Sequence, residues 1–210
     1  MKKIFACLAM GLAALLISFS AQAQAAAPDE LVQQLSDEVL DIIRTDPKLR
    51  GGDPQSVVTR VEAVVKPHFN FRRMTSLAVG RESWRSATPD QQQRLVDGFY
   101  GLLVRIYSNA LTQYKDQTVH FKPFRMSSGD TTVRVQSEIR QSGAQPIAVD
   151  YVLERSGDGW KIFDIFVAGV SLVTNYRGDF AEQIRTGGIE GLIRSLEAGT
   201  VVTGEADGRS

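Results

Sequence analysis

The chain has 210 residues, enough for one domain or two small ones and for a sizeable buried core. Apolar residues make up 43% and charged residues 23%, with 24 basic against 24 acidic side chains. That balance suits a soluble globular protein and offers no positive excess for nucleic acid or an anionic membrane surface.

Residues 1–23 differ from the rest. Lys2 and Lys3 form a positive start, Ile4 to Phe19 an apolar run, and Ala21-Gln22-Ala23 a site of small residues. The pattern predicts a secretory signal peptide over 1–23, with cleavage after Ala25 or Ala27 also compatible. An uncleaved anchor is the competing reading, but the run is short for a bilayer and weakened by Ser18, Ser20 and Gln22. Cys7, the one cysteine, precedes most of the apolar run, whereas a lipid-bearing cysteine should follow it. Cleavage removes two basic residues and no acidic one, leaving a formal charge of −2 and no thiol. The mature chain is expected to be a soluble exported monomer, without a metal or nucleic-acid partner. Its domain is expected over 24–198, with a disordered tail over 199–210 that is rich in small and acidic residues.

The predicted elements follow in order. Leu31, Val32, Leu35, Val39, Ile42 and Ile43 recur at helical spacing. Asp53-Pro54 opens a second helix, lined by Val57, Val58, Val61, Val64 and Val65 and stopped by Pro67. Asn70 can cap a third that carries Phe71, Met74 and Leu77 and closes at Gly80. Thr88-Pro-Asp-Gln91 is a capping box for a helix running to about Tyr114. That helix is apolar on most sides and should be largely buried, with Tyr100, Tyr107 and Tyr114 on nearly one line as edge packing.

Strands follow over 118–125, 131–140 and 146–155. Ser156-Gly-Asp-Gly159 signals a hairpin into a fourth strand from Trp160. Simple alternation puts Trp160, Ile162, Asp164 and Phe166 on one face and Phe163, Ile165 and Val167 on the other. A strand apolar on both faces has no solvent side. Gly169 breaks it, Ser171 caps a helix over 171–186, and a last helix spans 188–197. The fold class is α+β, a curved antiparallel sheet of about four strands with helices packed on it.

Chemistry is sparse. His68 and His120 have no cysteine partners and no spaced second ligand, so nothing argues for a metal. Gly169-Val-Ser171 lacks the second glycine of a nucleophile elbow. Asp164 could act as a general base if buried, or could hydrogen-bond the backbone and fix the sheet. Arg177 and Arg185 could meet a phosphate or stay as solvated helix charges.

Two long stretches are more specific. HFNFRRMTSLAVGRESWRSATPDQQQRLVDGFYGLLVRIYSNAL and WKIFDIFVAGVSLVTNYRGDFAEQIRTGGIEGLIRSL resemble the MlaC family, the toluene-tolerance or phospholipid-binding proteins of the Gram-negative periplasm. The resemblance runs through the W-K-x-x-D strand, the G-V-S-L turn and the N-Y-R-x-x-F helix, and covers about residues 30–197. Asn70 stands where the family commonly has aspartate, and Ala168 where it has an acidic residue. The resemblance implies a periplasmic carrier holding phospholipid tails in its interior, without a cofactor and without catalysis. It implies shuttling between an outer-membrane lipoprotein–porin complex and an inner-membrane ABC transporter with its hexameric, membrane-anchored partner.

The two-sided apolarity of the Trp160 strand and the long helix fits such an interior. It predicts a cavity lined by Leu102, Ile106, Val149, Tyr151, Phe163, Ile165, Val167, Val170, Leu172 and Val173, with Gly169 as a hinge. Two other readings stay open. One is a cavity enzyme like the isomerases and hydrolases of the NTF2-like group, with Asp164 as base and a tyrosine as electrophile. The other is a module that only docks two membrane complexes.

Overall fold

The computed structural model describes residues 26–45, 54–112, 116–157 and 159–201. The expected signal peptide, Asp53, Tyr114, Asp158 and the tail beyond Val201 lie outside the described residues. Helix α1 (Pro28–Thr45) turns Val32, Leu35, Ile42 and Ile43 inward, as their spacing requires. Helix α2 (Pro54–Val65) packs on it through Ile42, Val57 and Val61. A 3-10 turn over Lys66–His68 leads to α3 (Phe71–Val79). A short α4 (Arg81–Ser86), which the spacing did not suggest, precedes the long α5 (Pro89–Thr112). The Thr88 box forms in both directions: the Gln91 N–H donates to Thr88 Oγ1 at 3.2 Å and the Thr88 N–H to Gln91 Oε1 at 3.0 Å.

The sheet has five strands in sequence order, β1 (Thr118–Phe121), β2 (Thr132–Arg140), β3 (Ile147–Ser156), β4 (Gly159–Val167) and β5 (Val170–Ser171), all antiparallel. The fifth strand is two residues long, too short for a periodicity to reveal. The expected faces of β4 need correction. Val152 pairs with Asp164 but Leu153 pairs with Ile162, so Phe163 is an extra residue in a β-bulge. The bulge shifts the alternation by one. Trp160 and Ile162 therefore share a core with Ile165, Tyr151 and Leu153, against Val32 and Leu35 of α1. Phe166 lies opposite Asp150 on the other face, beneath the Arg134 guanidinium at 4.0 Å.

Two further helices close the chain. The one-turn α6 (Leu172–Asn175) is followed by α7 (Arg177–Glu197), which kinks at Gly188 where φ is +65°. The expected break between two helices is thus this kink, and the first helix is split at Tyr176. A second core joins α3, α5, α6 and α7 around Phe99, which meets Tyr176 and Phe180 edge-on. Helices α5 and α7 touch at Gly98, where an added Cβ would sit 2.8 Å from that of Leu196. The expected tail start also shifts. Gly199 ends the helix with φ +69°, and Val201 is 5% exposed in the same core.

Asn70 has a specific reason to be asparagine. Its Oδ1 accepts the Arg73 N–H at 3.0 Å while its Nδ2 donates to Glu154 Oε1 at 2.8 Å. Arg73 bridges the other Glu154 oxygen at 2.5 Å. An aspartate can cap but cannot donate, and would set a second carboxylate against Glu154. Asn70→Asp is expected to lower stability by about 1 kcal/mol, read from the urea midpoint at unchanged slope.

Candidate functional site

A cavity of about 440 Å³ lies between α2, α5 and the sheet. Helix α2 contributes Val58, Val61, Glu62 and Val65 because these positions fall on one helical face. Lys66 and Phe69 follow from the 3-10 turn and its exit, and Phe71 and Met74 from α3. Helix α5 presents Tyr100, Leu103, Val104, Tyr107 and Ser108. Ile139 of β2, Ile165 and Val167 of β4, and Leu172 of α6 complete the wall. Lys66, Tyr107 and Val167 are exposed members of the lining and mark where it meets solvent.

The expected lining residues divide. Ile165, Val167 and Leu172 lie on the wall. Leu102, Phe163 and Val173 are buried in the α3–α5–α6–α7 core instead, and Ile106 packs against that core. Tyr151 belongs to the α1–sheet core, Val149 is buried opposite Val167, and Val170 is 57% exposed. The bulge accounts for Phe163, and helical rotation accounts for Leu102 and Ile106. Helix α5 is apolar all round, so spacing cannot say which apolar face meets core and which meets cavity. The face one residue on, Leu103 and Val104, has the cavity. The expected edge-packing tyrosines Tyr100 and Tyr107 lie on the wall too. In the sequence the α2 residues show only as a helical stripe.

Glu62 and Lys66 are the two charged side chains on this wall. Tyr100 donates its hydroxyl to Glu62 Oε1 at 2.8 Å, and its ring meets Phe71 edge-on at 4.8 Å. Burial first, then the hydrogen bond and charge of Glu62, hold the Tyr100 phenol well above its ordinary value. Burial likewise raises Tyr176, with Tyr107 adding to it, and raises Tyr151. All three phenols stay protonated at neutral pH, as neutral parts of apolar surroundings.

Asp164 is 8% exposed and its oxygens are occupied. Oδ1 accepts the N–H of Ile165 at 2.8 Å and of Val173 at 3.2 Å, and Oδ2 accepts the Ser171 hydroxyl at 2.6 Å. Ser171 Oγ in turn caps α6 by accepting the Thr174 N–H at 3.0 Å. The carboxylate thus ties the bulged strand to a helix start, and it is not on the cavity wall. Arg177 donates twice to the Leu77 carbonyl, closing the end of α3, and Arg185 pairs with Glu182 on the surface. Neither faces the cavity. Among the described residues no group of three or more His, Cys, Asp or Glu side chains could hold a metal ion.

Gly169 is not the joint between strand and helix, because β5 intervenes. It is the second residue of a two-residue turn between β4 and β5, after Ala168. Both have positive φ, +50° and +83°, as a type I′ turn requires.

Comparison with known proteins agrees with this architecture. The sequence model of the family described as MlaC protein matches residues 33–198. A phospholipid-binding protein from Ralstonia solanacearum, solved in complex with a phospholipid, is 40% identical, with a TM-score of 0.76. The match covers 83% of this chain and 97% of that one. The toluene tolerance protein ttg2D of Pseudomonas putida is 25% identical over 85% of this chain and 83% of its own length. The intermembrane phospholipid transport system binding protein MlaC of Haemophilus influenzae is 26% identical over 94% and 92%. With the family model matched over residues 33–198 of this chain and a 40% identical relative of the same fold, this chain belongs to the MlaC family.

Proposed function

We propose that this protein is a periplasmic phospholipid carrier. It shuttles lipid between an outer-membrane lipoprotein–porin complex and an inner-membrane ABC transporter with its hexameric anchored subunit, and so maintains outer-membrane lipid asymmetry. The observation that carries the reading is the apolar cavity, whose volume of about 440 Å³ suits a bound ligand. Family membership and the phospholipid held by the Ralstonia relative support it.

The energetics call for such a wall. Each methylene removed from water contributes roughly 0.8 kcal/mol, so the ~30 methylenes of two acyl chains represent on the order of 25 kcal/mol. Without matching apolar surface, lipid stays in its bilayer. The carrier needs no cofactor and performs no catalysis; the phospholipid is cargo. The cavity-enzyme alternative gains no support, since Asp164 is committed to a helix start and lies off the wall.

Extraction of the purified protein into organic solvent, followed by mass spectrometry, tests the reading. Co-purified phospholipid is expected. Protein purified from an exporting host without any lipid, and unable to take it from vesicles, would overturn it.

Release requires the wall to open. The β4–β5 hairpin turned at Gly169 is the proposed moving part, because Val167 on it both lines the cavity and is 40% exposed. Gly169→Ala, forced to φ +83°, is expected to lower stability by about 1 kcal/mol and to slow lipid transfer to acceptor vesicles. Transfer at the wild-type rate despite that loss of stability would leave Gly169 a turn residue only.

A further inference from the structure

The two charges on the cavity wall are placed in an unusual way. Glu62 and Lys66 stand four residues apart on one face, the spacing at which such a pair ordinarily bridges. Here the ion pairs of the described residues do not include either of them. Glu62 instead accepts the Tyr100 hydroxyl at 2.8 Å, and the Lys66 ammonium sits over the Tyr100 ring, 4.5 Å from its centroid. Tyr100 is held edge-on by Phe71, so it fixes both charges relative to the apolar wall below. Lys66 is exposed and Glu62 half-buried, so the pair stands where the cavity meets water.

A cation and an anion held side by side at the rim of an apolar cavity match a ligand carrying the same two charges beside an apolar tail. We infer that Glu62 and Lys66, spaced by Tyr100, form a head-group clamp that selects zwitterionic over anionic phospholipid. Lys66 meets the phosphodiester, as a point charge with three donors. The half-buried Glu62 keeps acceptor capacity beyond the Tyr100 bond and meets the head-group ammonium. An anionic glycerol head group satisfies Lys66 but sets hydroxyls and a net negative charge beside Glu62. Discrimination therefore comes from the unfavourable contact as much as from the favourable one. Because both groups keep some contact with water, the preference is modest, about three- to fivefold.

The inference rests on the carrier reading, and one experiment separates their failures. The full mature chain is stripped of lipid, reloaded from vesicles of equimolar phosphatidylethanolamine and phosphatidylglycerol with identical acyl chains, then re-isolated and extracted. Wild type is expected to carry the zwitterionic lipid in about three- to fivefold excess. Glu62→Gln, which still accepts from Tyr100, is expected to bring the ratio near one, and Lys66→Glu to lower total loading of the anionic lipid further. Circular dichroism melts check that each variant folds. Normal total loading at the vesicle ratio in all three proteins would overturn the clamp and leave the carrier standing. No loading of either lipid by wild type would overturn both.

Discussion

Replacing Val104 with tryptophan is expected to weaken the hold on lipid strongly while leaving the protein folded. Val104 lies on the cavity wall and is only partly buried, so an indole there extends into open space and not into a packed core. If the indole displaces about three methylenes of the cargo, the loss at ~0.8 kcal/mol each is ~2.4 kcal/mol. That lowers lipid retention by roughly 50-fold. Phospholipid retained by Val104→Trp protein after equilibration with excess acceptor vesicles should fall accordingly, while the lipid-free variant and lipid-free wild type melt at similar temperatures. Lipid at the wild-type level would place the cargo somewhere other than this cavity.

The largest loss of stability is expected from Asp164→Ala. Removing this carboxylate strands the Ile165 and Val173 N–H groups and the Ser171 hydroxyl in a buried setting, and loosens the cap of α6. An unsatisfied buried donor costs about 1–3 kcal/mol and three neutral donors lose their acceptor, while the desolvation of the charge itself is relieved, so a loss of about 4 kcal/mol is expected. Asp164→Asn keeps one carbonyl oxygen for the two N–H donors, and its amide can donate to Ser171 Oγ. It should cost only about 1–2 kcal/mol. Chemical denaturation of the pair measures both, and the Asn variant should load lipid normally. A folded Asn variant that loaded no lipid would put Asp164 in the binding machinery instead.

The sequence was most readable where structure is local. The Thr88 box, the Asn70 cap and the Ser171 cap each satisfy helix-end donors within three residues, and all three form as their spacing suggests. The helical stripe of α1 and the alternation of β2 were equally legible, because each has one polar face. Legibility failed where apolar residues surround an element. In α5 nothing in the spacing separates Leu102, which packs in the core, from Val104, which lines the cavity. In β4 the inserted Phe163 reverses every later side chain, and a bulge in an all-apolar run leaves no break in polarity to betray it. Glu62 and Lys66 were missed for a different reason. An apolar cavity was expected to be lined by apolar residues alone, whereas its rim is where charge is affordable.

The central claim is that acyl chains occupy the space between α2, α5 and the sheet. A photoreactive amino acid at position 104 on the wall, or at exposed Glu182 on α7 as control, tests it most directly when irradiated in cells fed labelled phosphate. Phospholipid covalently attached at position 104 and absent at position 182 is the predicted result. Equal labelling at both, or none at position 104 in a protein that still carries lipid, would contradict the account.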